Sequence, residues 1–136
     1  MKIVLDTNVL MAGLLKDSIV RKILSSENIQ FLIPEHALSE IKKHKIGLIS
    51  KSGMAMEEID EVVDLLLENI EIIPELRIKN KLKEAENIMK SIDIKDSTFI
   101  ATALAIDSDG IWSFDEHFKK QNVVRIYSTK ELAKYI

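Results

Sequence analysis

The chain has 136 residues and no cysteine, so we expect one domain over residues 1–136 with a core of its own, and neither a disulfide framework nor a thiolate zinc site is available to it. No apolar run approaches the roughly 20 residues of a membrane span and no basic-then-apolar leader opens the chain, so a soluble cytoplasmic protein without a membrane partner is expected. The formal net charge of -3 argues against a broad basic nucleic-acid surface, although carboxylates loaded with divalent cations also present positive charge to a phosphate.

Ile3 to Leu5 reads as a first strand and Val9 to about Ser26 as a helix, with Leu10, Leu14, Ile19, Ile23 and Leu24 near helical spacing. Ile29 to Ile33 is a second strand stopped by Pro34, a residue suited to the first turn of the next helix. That helix carries Ala37, Leu38 and Ile41 on one stripe and is expected to end near Gly47. Ser52 can cap a helix within KSGMAMEEIDEVVDLLLEN, where Ile59, Val62, Val63, Leu66 and Leu67 form an apolar face. Ile70 to Ile73 is a third strand closed by Pro74, and a charged connection leads to a short helix over Leu82 to Met89. Lys95 to Asp107 is the most apolar helix of the chain and so a buried one. Ile111 to Ser113 and Val123 to Tyr127 complete the strands, and Ser128, Thr129 and Glu131 begin a last helix.

No repeat or low-complexity segment interrupts this order. Strands that alternate with helices, each strand a continuous apolar run, predict a parallel sheet covered on both faces. Ligands of such sheets bind beyond the carboxyl ends of the strands, where strand order reverses. Asp6 follows the first strand directly, in KIVLDTN, and a carboxylate at the end of a core strand is costly unless something pairs with it.

Three further acids lie where the same edge could gather them. Glu40 is about one turn into the helix after the second strand, Asp96 opens the buried helix with Asp93 three residues earlier, and Asp115 follows the fourth strand in IWSFDEHF. Oxygen donors from separate segments suit hard cations such as Mg²⁺ or Mn²⁺. One or two such ions, paired ions being roughly 3.5–4 Å apart, can activate a water and neutralise a phosphodiester without a cysteine or histidine nucleophile.

KIVLDTNVL, the helix-borne Glu40, KDSTFIATAL and IWSFDEHF together resemble, in order and spacing, the four segments of the PIN domain, a metal-dependent ribonuclease fold that includes VapC-type toxins. The resemblance runs from Met1 to about Phe118. It implies a three-layer α/β/α sandwich around a five-stranded parallel sheet. It also implies that Asp6, Glu40, Asp96 and Asp115 bind Mg²⁺ or Mn²⁺ and direct water at an RNA phosphodiester, leaving 5′-phosphate and 3′-hydroxyl ends. Thr7 or Asn8, and Ser113, match small polar positions that orient ligands or water, and Asp93 is an auxiliary ligand or a cap. A homodimer and a small antitoxin protein are the partners such a toxin would have besides RNA.

Plainer roles compete for each residue. Asp6, Thr7 or Asn8 can cap the first helix, and Asp93 and Asp96 suit a helix N-terminus. Glu40 can pair with Lys43 or His44 on the surface, and Asp115 can be a turn residue. Lys42, Lys43 and Lys45, with Lys51, form either a solvated face or a contact to RNA phosphates. His36, His44 and His117 lack the spacing of a zinc site, and His117, beside Asp115, is a candidate substrate contact. Met54 and Met56 read as packing or dimer contacts and Trp112 as core. In function, the alternative to a nuclease is an inactive PIN-like module that binds RNA or protein; four mutually repelling carboxylates argue against it. A phosphoacceptor receiver domain would need an aspartate at the end of the third strand, where the chain has IEIIPELR, and a dehalogenase-type phosphatase would need an aspartate where Asn8 stands.

Overall fold

The computed structural model describes residues 1–15 and 18–136. Strands β1 (Lys2–Leu5), β2 (Gln30–Pro34), β3 (Ile70–Ile73), β4 (Gly110–Trp112) and β5 (Ile126–Tyr127) form one sheet in the order β3-β2-β1-β4-β5. Every neighbouring pair is parallel, as the alternation of strand and helix predicts. Central β1 buries Ile3, Val4 and Leu5 completely, whereas edge strand β3 exposes Glu71 and Ile72 because only one of its sides is covered by a neighbour.

The helices are α1 (Thr7–Leu14), α2 (Ile19–Leu24), α3 (Glu35–Lys43), α4 (Lys45–Ser52), α5 (Met56–Leu67), α6 (Glu75–Met89), α7 (Ser97–Ile106) and α8 (Thr129–Leu132). Helices α1 to α5 contact one another as one layer; α6 packs along α7, which lies on β1, β2 and β4 as the other layer. This is the expected three-layer α/β/α sandwich. Between the layers, Phe31 and Trp112 meet at 5.9 Å between ring centroids, and the buried indole donates to Thr129 Oγ1 at 3.1 Å. Among the described residues no helix is long and apolar enough to cross a membrane.

Several boundaries differ from the sequence expectation for local reasons. The single helix expected from Val9 to Ser26 is two, and its expected passage through Lys16 and Asp17 lies outside the described residues. Ser18 caps α2 by accepting from the Val20 amide at 3.1 Å. The Arg21 guanidinium donates to the carbonyls of Gly13 and Leu14 at 2.8 and 2.7 Å, which satisfies acceptors left open where α1 stops. The pair packs closely because Gly13 has no side chain; a Cβ there would meet Leu24 Cδ1 at 2.6 Å.

Helix α3 stops at Lys43, not near Gly47, and Gly47 lies inside α4, which ends instead at Gly53 in a left-handed conformation with φ 71°. Ser52 does not cap α5; its hydroxyl accepts from the Met54 amide, and the Glu58 carboxylate accepts from the Ala55 amide at the start of α5. The charged connection after Pro74 is the first half of α6. There Ile78, Ala85 and Met89 recur on one buried stripe while the charges stay in solvent, and a stripe of that width is enough to hold a helix. Strand β5 is shorter than the expected Val123 to Tyr127, because the Gln121 side chain takes the amides of Val123 and Val124 into a turn. The last helix starts as expected, with Ser128 and Glu131 capping each other's backbone amides.

Candidate active site

Strand order reverses between β1 and β4: the chain steps outward through β2 and β3, then returns to the other side of β1. The carboxyl ends of these two strands carry Asp6 and Ser113. The Asp6 amide still donates to the Trp112 carbonyl at 3.1 Å, so the sheet ladder itself fixes the backbone of Asp6. Asp6 stands at the N-cap position of α1, yet its carboxylate makes no capping hydrogen bond. Instead Oδ2 accepts from the Ser113 hydroxyl at 2.8 Å in a buried setting, the Asp6 residue being only 6% exposed. The partner of this carboxylate is thus a side chain from the neighbouring strand's end and not a capping amide of α1.

Both layers contribute to this edge. From α3, Glu40 Oε1 accepts from the buried Thr7 hydroxyl at 2.9 Å, and His36 one turn earlier stands 3.7 Å away. From the other layer, Asp93 and Asp96 flank the short 3-10 turn that leads into α7. Asp93 Oδ1 accepts the Lys95 amide at 3.1 Å. Asp115, after β4, accepts the His117 amide at 2.9 Å, and its own amide donates to Ser113 Oγ at 2.9 Å. The imidazole Nδ1 of His117 lies 3.3 Å from Asp115 and 3.9 Å from Asp93. Asp93, Asp96 and His117 offer one ligand atom each within 4.8 Å of one another.

The electrostatics follow from this crowding. Burial raises the carboxyl pKa of Asp6, the Ser113 hydrogen bond opposes the rise, and the charges of Asp115 and Glu40 add to it. Asp96 is pushed up to about 7, first by burial and then by the charges of Asp93, Asp6 and Asp115, with His117 acting in the other direction. Asp96 Oδ2 is buried and has no hydrogen-bond partner. An orphaned carboxylate oxygen surrounded by other carboxylates is what a divalent cation would satisfy. The donor set fits as well, since carboxylate oxygens suit Mg²⁺ and Mn²⁺ and the adjoining imidazole suits first-row transition cations.

The structure does not gather all the residues proposed from sequence. Thr7 is buried against Glu40, whereas Asn8 is exposed to solvent. Lys45 is ion-paired with Asp60, and with Lys42 it lines a groove of about 440 Å³ between α3, α4 and α5. Lys43 is exposed on α3. Met54 packs partly buried against the core, while Met56 is 47% exposed. Glu40 pairs with neither Lys43 nor His44; its partner at helical spacing is His36, which the i, i+4 rule could have picked out. His117 sits inside the acid cluster itself, a placement that its adjacency to Asp115 hints at.

The PIN domain family matches the chain over residues 4–135. Among solved structures, the chain is similar to one in the crystal structure of VapBC2 from Rickettsia felis bound to a DNA fragment from their promoter. The TM-score is 0.71 at 20% identity, over 94% of this chain and 98% of that one. No curated protein matches.

Proposed function

The chain belongs to the PIN domain family, and on that premise we propose that it is a divalent-metal-dependent endoribonuclease that hydrolyses RNA phosphodiester bonds, its residues 1–136 forming one domain. The observation that carries the reading is the meeting of Asp6, Glu40, Asp96 and Asp115 at the point of strand reversal, around a buried Asp96 oxygen without a partner. Neighbouring carboxylates whose charges help to raise the pKa of Asp6 and of Asp96 are unfavourable for a structural core and useful for holding a cation.

In this reading Asp6, Glu40, Asp96 and Asp115 hold one or two Mg²⁺ or Mn²⁺ ions, with Asp93 as an auxiliary ligand. The bound cation supplies charge neutralisation at the phosphodiester and acidifies the attacking water. Thr7 aims Glu40, and Ser113 aims Asp6 while receiving the Asp115 amide, so three of the four acids are held by hydroxyls or by the turn they share. Lys42 and Lys43 on α3 meet RNA phosphates outside the cluster, a positioning contact that carries no base specificity. As the toxin of a toxin–antitoxin pair, the chain would act in the cytoplasm as a homodimer and be silenced by a small antitoxin protein.

The test is cleavage of a mixed pool of single-stranded and hairpin RNAs by the wild type and by Asp6→Asn, with Mn²⁺, with Mg²⁺ and with a chelator. Metal-dependent cutting that disappears in the variant is the expected result. Absence of cutting in every condition, together with absence of metal binding by calorimetry, would leave an RNA- or protein-binding module and return Asp6 to a structural role.

A further inference from the structure

We propose that Phe114, exposed beside the acid cluster, stacks on the base of a nucleotide next to the scissile phosphate and so positions that phosphate for cleavage. The proposal rests on the nuclease reading and adds to it a substrate contact that neither an acid nor a lysine makes.

Three observations carry it. Phe114 is 47% exposed, whereas Phe31, Phe99 and Phe118, the other phenylalanines of the chain, are all buried. Phe118, four residues on, meets Phe99 edge-on at 6.2 Å between ring centroids, so one short segment sends one ring into the core and leaves the other in solvent. Second, Phe114 stands in the chain between Ser113, whose hydroxyl holds Asp6, and Asp115 itself, about 3.8 Å from each between Cα atoms. Third, its backbone is fixed on both sides: Ser113 and Phe118 are buried, and Ser113 Oγ accepts the Asp115 amide across Phe114 at 2.9 Å. A ring on a backbone held in this way loses little freedom when a base meets it.

A single exposed apolar side chain is ordinary on a protein surface and by itself needs no partner. Phe114 differs in its neighbours along the chain, Ser113, Asp115, Glu116 and His117, all of them polar or charged. The core of a protein interface is depleted of charge, so this segment is a poor centre for one. An RNA base suits it better, because the base offers a flat π face to the ring and carries its phosphate alongside, toward the acids and the cation proposed there. The last turn of the same segment also carries Lys119 and Lys120. An aromatic face accompanied by cations is how single strands are held without reading of sequence. Such a contact accepts any unpaired base and is closed to one stacked within a duplex.

The experiment uses the full chain, the ion that supports cutting, and one short single-stranded RNA that the wild type cuts at a mapped bond, together with versions of that RNA lacking the base at each position in turn. Values of kcat/KM are measured for the wild type, Phe114→Ala, Phe114→Leu and Phe114→Trp, with thermal unfolding and metal calorimetry on the same proteins. We expect Phe114→Ala and Phe114→Leu to lower kcat/KM by about 5–150-fold without moving the melting temperature or the metal affinity, and Phe114→Trp to keep most of the activity. Removing one base next to the cut bond should cost the wild type a similar factor and cost Phe114→Ala nothing further, since the two partners of one contact are non-additive. If Phe114→Ala or Phe114→Leu cuts as well as the wild type, or if loss of the base multiplies the loss in Phe114→Ala, stacking is wrong while the nuclease reading stands. A loss in Phe114→Ala that comes with weaker metal binding would likewise overturn stacking, because the ring would then act on the Ser113 turn and not on RNA. A wild type that cuts no RNA overturns both.

Discussion

The Ser113 hydroxyl donates to the Asp6 carboxylate at 2.8 Å and thereby joins the residue after β1 to the residue after β4, 107 positions apart in the chain. The same hydroxyl oxygen accepts the Asp115 amide at 2.9 Å. One small side chain thus sets the relative position of two of the acids, and it can do so because parallel β1 and β4 end side by side.

Ser113→Ala should therefore disturb the site more than the loss of one exposed hydroxyl would. Asp6 is buried, and removing its donor leaves a desolvated carboxylate, a loss of about 1–3 kcal/mol. Mn²⁺ affinity should fall about 10–100-fold, the usual effect of removing a group that orients a ligand. Urea unfolding with chelator and calorimetry with Mn²⁺ measure the two effects separately. Unchanged affinity would mean that Asp6 keeps its aim without Ser113.

Thr7 and Glu40 act as a unit if the 2.9 Å bond between them orients the carboxylate. Thr7→Val and Glu40→Gln should each reduce RNA cleavage, and the double variant should be little worse than Glu40→Gln alone. Residues in one hydrogen-bonded pair are non-additive in this manner, whereas independent contributions would multiply. Single-turnover cleavage rates for the four proteins decide between these outcomes.

Gly110→Ala tests the frame behind the site. A Cβ at Gly110 would lie 2.4 Å from the Arg125 carbonyl oxygen and 2.8 Å from the Tyr127 ring, and the carbonyl belongs to the ladder between β4 and β5, where it accepts the Ile111 amide. A ladder carbonyl on one side and the buried Tyr127 ring on the other leave little room to give. We expect a loss of about 1–3 kcal/mol, the usual cost of overpacking, together with weaker metal binding, because Ser113 and Asp115 directly follow β4. Thermal unfolding checks the first, and a variant as stable as the wild type would place the β5 edge further from Gly110.

The sheet was legible in the sequence because parallel strands are apolar runs: Ile70 to Ile73 is read to the residue, and β1 nearly so. What misled was local chemistry that competes with periodicity. Ser18 and Arg21 divide one apolar pattern into α1 and α2, and charged residues conceal the first half of α6 because its buried stripe is only Ile78, Ala85 and Met89. At the site, acids separated by up to 109 positions in the chain, from Asp6 to Asp115, could be nominated because each follows a strand or opens a helix at the same edge. Their hydrogen-bonding partners could not, since whether Thr7 or Asn8 faces Glu40 depends on the phase of α1 against α3. The place of His117 among the acids is a tertiary fact of the same kind.

Asp96 links the site to stability through pH. Its folded pKa of about 7 lies well above the ordinary aspartate value, burial being the largest cause. Between about pH 4 and 7 the folded protein therefore holds a proton that the unfolded chain has released, and stability falls as pH rises through that window. The rise at Asp6 acts in the same sense; Glu131, lowered chiefly by the Ser128 amide, acts oppositely and only near and below the ordinary carboxylate range. Asp96→Asn removes the charge that has to be buried, so in chelator its melting temperature should vary less with pH and exceed that of the wild type at pH 8. Addition of Mn²⁺ at pH 8 should reverse the order, since a ligand that binds only the folded state stabilises only the protein able to hold it. Melting curves from pH 5 to 8, with chelator and then with Mn²⁺, contain the whole test. A variant less stable than the wild type in chelator at pH 8 would show that the Asp96 carboxylate contributes to the fold itself.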